Sequence, residues 1–470
     1  MKRAIKCVFA IIVLFVAIGG AVGIHHELLS KQQSNQLEKK KIENTICPVD
    51  WEYLETYNME PFTTNLPVLM IDTKSQLVEK ENSIWGEIGI YDRTENDIQK
   101  GPDLILDAAI KLRGASSYTN FDKPQYKIEF YKKSHKKDYS YGLGGMHPNS
   151  EWVLNGPFLD KTMVRNALMY GVSRELMDWA PDFRYIELFV DGEYQGLYLA
   201  VEKISRNEGR LNLSDFGLAS GQTAYIMKRD RVGTELLEYD SYGIKNGYTK
   251  NAVSVQYPSP TEITKRQLNW IHKDFDDFEK KLYHANFAEE GFHYEDYIDV
   301  DDFVDYYLIN EMSMNHDAGF LSTFYYKELD GKFKLAVWDF NNTFDNYQGF
   351  KIKTYETLMA KTDWFDKLCE DRAFVEKVCT RYHQLRKTTF SEEHLLDKIS
   401  DYQNTMGGAI DRNFTIWGYS FELNLLVDKE AADRDPESYD EAKRQLLVCM
   451  HERLNYMDVH IEDLYKKCKN

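Results

Sequence analysis

At 470 residues the chain is long enough for one large two-lobed domain or two ordinary ones. Hydrophobic residues make up 43% and aromatics 14%, including 32 tyrosines and 25 phenylalanines. That excludes a wholly disordered chain and supplies a sizeable core. A formal net charge of -18 repels nucleic acid and anionic surfaces and argues against a nucleic-acid partner. A metal ion and a few local cations still let an acidic protein hold a nucleotide.

The N-terminus carries Lys2, Arg3 and Lys6, followed by an apolar run from Cys7 to Ile24. The run is at the lower edge of what spans a bilayer, and its basic flank predicts a cytoplasmic N-terminus. A signal anchor is the favoured reading of residues 1–25. A cleaved signal peptide is the alternative, because small residues cluster at Ala17-Ile18-Gly19 and Ala21-Val22-Gly23. Both place the rest of the chain outside the cytoplasmic membrane. Residues 26–65 are polar, with mixed charges around Lys39-Lys40-Lys41, and read as a tether. Six cysteines show no zinc-type spacing. They allow one or two disulfides outside the membrane segment.

The globular part is expected over 66–465. Leu66 to Ile71 is a short strand pattern, and Ile84 to Tyr91 alternates. Ala108 to Gly114 reads as a strand ending at a glycine turn. In Gln125 to Phe130, Tyr126, Ile128 and Phe130 share one face and Lys127 the other. Gly142-Leu143-Gly144-Gly145 is a weak candidate for a phosphate cradle and fits a plain loop as well. Thr162 to Met177 looks helical, with Asp160 available as a cap. Two apolar runs joined at Asp191-Gly192 predict a hairpin. Helical spacing follows over Lys265–Tyr283 and Val300–Met314, then a hairpin from Ser322 to Trp338, then helices from Asp363 onward. The predicted class is α+β, with a β-rich part before a mostly helical one.

Several stretches carry candidate chemistry. They are Leu112-Arg113-Gly114 with Lys123-Pro124-Gln125-Tyr126-Lys127, Asn155-Gly156-Pro157 through Arg165-Asn166, Val190-Asp191-Gly192 through Glu202-Lys203, and Asn315-His316-Asp317 through Trp338-Asp339-Phe340. Together and in this order they resemble the CotH family of atypical protein kinases, named after a spore coat protein. The resemblance implies a protein-kinase-like two-lobed fold, ATP, Mg or Mn, and phosphorylation of serines in extracytoplasmic, spore coat or surface proteins.

Phosphoryl transfer needs cations on the phosphates, carboxylates on a metal and a group that orients the acceptor hydroxyl. A carboxylate loop, a hairpin and a second carboxylate match that order. The resemblance therefore implies Asp317 as the acceptor-orienting residue or base and Asp339 as a metal ligand. Lys123 fits the family pattern, and Lys127 the more strand-like position, for the cation that meets ATP. Glu202 is a candidate to position that lysine or the nucleotide edge. Arg113 and Arg165 either clamp phosphate or hold structural ion pairs. Each of these residues also has a plainer reading as a cap, a turn or a solvated strand face. The family commonly has Asp-Phe-Asp where this chain has Asp339-Phe340-Asn341, and Asn where this chain has Ser322. Both changes fall on the implied metal site and thin its charge. They leave open a pseudokinase-like assembly or adhesion protein as the alternative.

Overall fold

The computed structural model describes residues 60–469 except 136, 234, 290–291 and 427–433. The anchor or signal peptide over 1–25 and most of the tether lie outside the described residues. No helix among those described is long and apolar enough to cross a membrane.

The protein is α+β. Its first half closes into a barrel of seven strands: β2 (Val68–Asp72), β3 (Ile84–Tyr91), β5 (Leu104–Arg113), β6 (Gln125–Tyr131), β7 (Glu151–Asn155), β9 (Glu193–Glu202) and β8 (Phe183–Val190), in that spatial order. Two short strands, β1 (Thr63–Thr64) and β4 (Asn96–Asp97), pair beside it. Neighbours in the barrel are antiparallel except at the closure, where β2 runs parallel to β8. Alternation decides which side chains enter. Tyr126, Ile128 and Phe130 point inward with Trp152, Leu154, Tyr198 and Ala200. Val153, Leu199 and Val201 face out and join the larger core with the helices.

Ten α-helices are seen among the described residues. They are α1 (Ser116–Asn120), α2 (Arg165–Leu176), α3 (Tyr242–Lys245), α4 (Lys265–Tyr283), α5 (Val300–Met312), α6 (Asp363–Leu368), α7 (Arg372–Leu385), α8 (Glu392–Met406), α9 (Ala409–Trp417) and α10 (Tyr439–His460). Helix α4 spans its expected range, opened by a Thr264–Gln267 capping box. Helix α5 is buried nearly all round and forms the centre of the second half. It stops two residues short of the expected end, because Met314 turns into left-handed backbone. Helix α2 starts three residues late, because Asp160 takes the backbone N–H groups of Thr162 and Arg165 in a preceding turn.

The expected late hairpin, β13 (Thr323–Lys327) and β14 (Lys334–Ala336), does not stand alone. It joins β10 (Tyr225–Asp230), β11 (Glu238–Tyr239) and β12 (Ala252–Tyr257) in one antiparallel sheet, ordered β11-β12-β10-β13-β14. Pairing across about a hundred residues leaves no local trace in periodicity. The glycine run at Gly142 to Gly145 is no phosphate cradle in this structure, since the Gly144 N–H donates to the Asp92 carboxylate. The four described cysteines, Cys369, Cys379, Cys449 and Cys468, are unpaired thiols.

The Asp191-Gly192 turn closes the β8–β9 hairpin with both residues at positive φ, as a two-residue connection of this type requires. A bulge follows at Gln195 and Gly196, where the register shifts. Helix α9 satisfies the backbone groups it frees. Trp417 Nε1 donates to Gln195 O at 2.9 Å, and Asn413 Oδ1 accepts from Leu197 N at 3.1 Å. Gly196 sits at φ 90°, where a Cβ would meet Asn413 Oδ1 at 2.6 Å. Lys123 completes the junction, with its buried Nζ donating to Leu197 O and Asn413 Oδ1, each at 2.7 Å. Asn413→Ala removes the acceptor for a buried ammonium and a buried amide. It should lower stability by about 2 kcal/mol or more, read as a shift of the urea midpoint at unchanged slope.

Candidate active site

Strand β14 delivers the chain to Trp338 and Asp339. Asp339 adopts left-handed backbone at φ 64°, and Met314, Ser322, Phe344 and Asp345 around it do the same. Non-glycine residues in this region cost conformational energy and persist where surrounding contacts hold them. Those contacts are visible. Phe344 N donates to Ser313 O, and Arg165 Nε donates to Thr343 O at 3.0 Å. Arg165 also pairs with Asp160 at 2.6 Å. It therefore has the structural role, fixing the turn before α2 and the loop after Asp339.

A chain of side-chain hydrogen bonds runs from the barrel to Asp339. Arg113 Nη1 donates to Gln125 Oε1 at 2.9 Å, and Asn155 Nδ2 donates to the same oxygen at 3.3 Å. Asn166 Nδ2, from α2, donates to Asn155 Oδ1 at 3.3 Å and Asn341 Oδ1 at 2.7 Å. Asn166 Oδ1 accepts from Phe340 N at 2.7 Å, and Asn341 Nδ2 donates to Asp339 Oδ1 at 2.7 Å. Arg113 closes the circuit. It lies within electrostatic reach of Asp339, with its guanidinium 5.7 Å from the Trp338 ring centre. Tyr170 Oη meets Asp339 N at 3.3 Å.

Asp317 follows α5 in a turn closed by Leu321 N on Asp317 O at 2.7 Å. Ser322 comes next, half-buried. Asn342 Nδ2 donates to Asp317 Oδ2 at 3.1 Å, and Asn315 Nδ2 reaches Asp339 O at 3.4 Å. The two predicted aspartates thus share one polar site. Burial and the neighbouring Asp339 charge push the Asp317 carboxyl up to about 6.

The remaining predicted residues divide by strand face. Arg113, Gln125 and Asn155 lie on the outer barrel face, and two residues along β6, or about 7 Å, Lys127 lies on that same face. Lys127 pairs with Glu151 at 2.7 Å, and Lys203 pairs with the same carboxylate at 3.1 Å. Burial would raise Glu151, but the two lysines outweigh it and hold the carboxyl at about 2. The structure therefore brings Arg113 within electrostatic reach of Asp339, while Lys127 stands on the same barrel face in an ion pair with Glu151. It does not bring Lys123, which is buried against α9. Nor does it bring Glu202, which alternates to the other side. Glu202 is buried, accepts from Asp182 N at 3.0 Å and faces Arg210. Asp345 pairs with Arg434 at 3.1 Å.

The donor set bears on a metal. Among the described residues no group of three or more His, Cys, Asp or Glu side chains forms a cage. Magnesium in phosphoryl-transfer sites is commonly held by one or two carboxylates plus substrate phosphates and water, so Asp339 beside Asp317 fits that pattern. Asn341 Oδ1 accepts from Asn166 while its Nδ2 holds the Asp339 carboxylate. Asn342, Gln125, Asn155, Asn166 and Tyr170 join the site without having been among the predicted residues. Asn155 and Asn166 stand inside the second motif stretch, and Asn342 follows the Asp339 motif directly. Their motif membership was the available signal.

Barrel, helical half and the two aspartates at their junction define a mixed α+β protein with one shared polar site. The chain belongs to the CotH kinase family, whose profile, described as CotH kinase protein, matches residues 110–457. It is a kinase-like protein. No curated protein matches it.

Asp317 also makes a stability prediction. Its folded pKa lies above the free carboxyl value of about 4, so ionisation favours the unfolded chain. That contribution is intact below about pH 4 and is lost as pH rises through about 6. In metal-free protein Asp317→Asn should therefore melt above wild type at pH 8, with the gap closing as pH falls toward 4. Thermal scans across that range check it, and a more stable wild type at pH 8 would contradict the assignment.

Proposed function

We propose that the chain is an ATP- and divalent-metal-dependent protein kinase of two-lobed, kinase-like build. It transfers phosphate to serines of proteins outside the cytoplasmic membrane, including spore coat or surface proteins, with Mg or Mn as the metal and residues 1–25 as anchor. The observation that carries this reading is the shared site of Asp317 and Asp339 at the end of a barrel face bearing Arg113 and Lys127. Asp339 would hold the metal, with Asn341 keeping its carboxylate in place. The metal would neutralise phosphate charge. Arg113 and Lys127 would meet the phosphates, Arg113 as a planar fork and Lys127 as a point charge. Asp317, raised toward neutrality and positioned by Asn342, would orient the serine hydroxyl and take its proton. Ser322, half-buried five residues on, would offer the metal a hydroxyl oxygen.

A second reading is a pseudokinase-like assembly or adhesion protein. Ser322 and Asn341 favour it, because they remove a charge and an amide oxygen from the metal site implied by the family resemblance.

Titration with ATP and Mg or Mn, followed by incorporation of labelled phosphate into a serine-rich protein, separates the two readings. The kinase reading expects metal-dependent binding and incorporation, with a loss of about a hundredfold or more in Asp317→Asn and Asp339→Asn. Metal-independent binding, or none, would favour the assembly role. Within the kinase reading, Lys127→Ala and Arg113→Ala should each raise KM for ATP by about tenfold, the effect of losing one charged contact. Lys123→Met should lower the melting temperature and leave KM for ATP unchanged.

A further inference from the structure

Beside Asp317 stands a group of rings that the phosphate chemistry does not use. The His316 ring lies 5.0 Å from Tyr347 and 4.8 Å from Phe350, and those two lie 4.9 Å apart. Tyr347 is within electrostatic reach of the Asp317 carboxylate. Phe350 is 43% exposed. An open aromatic face therefore adjoins the residue assigned to the acceptor hydroxyl.

The platform is braced. Arg434 Nη2 donates to the carbonyls of Asp345 and Tyr347, each at 2.8 Å. Asp345 Oδ1 accepts from Ile352 N at 2.7 Å, and Asn346 Nδ2 donates to Asn341 O at 2.7 Å. Asn120 Nδ2, from α1, donates to Gln348 Oε1 at 3.0 Å. The rings are thus presented from a loop tied at several points, a preorganised surface rather than one that must order on binding.

We propose that His316, Tyr347 and Phe350 form the subsite for the residue next to the acceptor serine, and that they select an apolar or aromatic side chain there. This rests on the kinase reading above. Consecutive Cα atoms lie about 3.8 Å apart, so a serine whose hydroxyl meets Asp317 places its neighbour within reach of rings that adjoin Asp317. Burial lowers the His316 pKa and so disfavours its charged form. The three rings offer aromatic faces. A carboxylate in that position would lose water and face Asp317, while an apolar side chain gains by leaving water.

The test uses the full chain with ATP and Mg or Mn, and serine peptides that differ only in the residues flanking the serine: Leu, Phe, Ala, Asp or Lys. Wild type should prefer Leu or Phe over Asp by about tenfold or more in kcat/KM, the effect of burying one apolar side chain. Phe350→Ala should reduce that preference to about twofold, leave KM for ATP unchanged and keep the wild-type melting temperature, since an exposed ring contributes little to folding. Tyr347→Ala is a second probe of the same surface. A flat flanking preference in wild type, or one that survives both substitutions, overturns the subsite and leaves the kinase reading standing. Absence of incorporation into every peptide overturns both.

Discussion

The side chain of Asn166 ties the two halves of the site together. Its amide nitrogen reaches Asn155 on the barrel and Asn341 on the loop beyond β14, and its oxygen takes the Phe340 N–H. Every one of these groups is largely removed from water, so each lost bond would leave an orphan donor or acceptor. The network extends from Arg113 to Asp339 and holds a left-handed Asp339 backbone that no local sequence preference would choose. The position of the metal-binding candidate is thus a consequence of barrel closure, not of the loop alone.

A second constraint acts at the back of the barrel. The bulge in β9 frees two backbone groups, and α9 fills both. A buried lysine then sits between a strand carbonyl and a helix asparagine. Lysine is rarely buried without such partners. Further into the helical half, Arg453 is buried with Glu311 and the carbonyls of Thr354 and Glu356. Arg229 is likewise enclosed by Glu279 and Asp363. Such pairs are costly to break singly, which suits them to fixing loops in register. The acidic chain thus uses several of its cations on internal joints, while Arg113 and Lys127 stand on the outer barrel face, Lys127 paired with Glu151.

The departures from the family pattern acquire a physical content here. Asn341 donates to Asp339 and accepts from Asn166, so its amide serves two partners that a carboxylate could not serve together. The change removes a charge and adds a donor that fixes Asp339. The repulsion between Asp317 and Asp339 remains, and a cation placed between such carboxylates relieves it.

Much of this was legible in the sequence. The order of elements, the Asp191-Gly192 hairpin, the inward face of Tyr126, Ile128 and Phe130, and helix α4 follow from periodicity and turn chemistry, which act between near neighbours. Asp317 and Asp339 were singled out by the family resemblance together with their order around a hairpin, and the fold places them in one polar site. Lys123 against Lys127 was not decidable that way. Both are lysines near one strand, and only the pairing of β6 with β7 and the approach of α9 separate a buried strut from a lysine paired with Glu151 on the outer face. Barrel closure, the five-stranded sheet and the Asn166 network likewise depend on contacts between residues far apart in the chain. Local residues determined which elements form. Tertiary packing decided which of their polar side chains meet, because a hydrogen bond depends on the final distance between two groups and not on their separation in sequence.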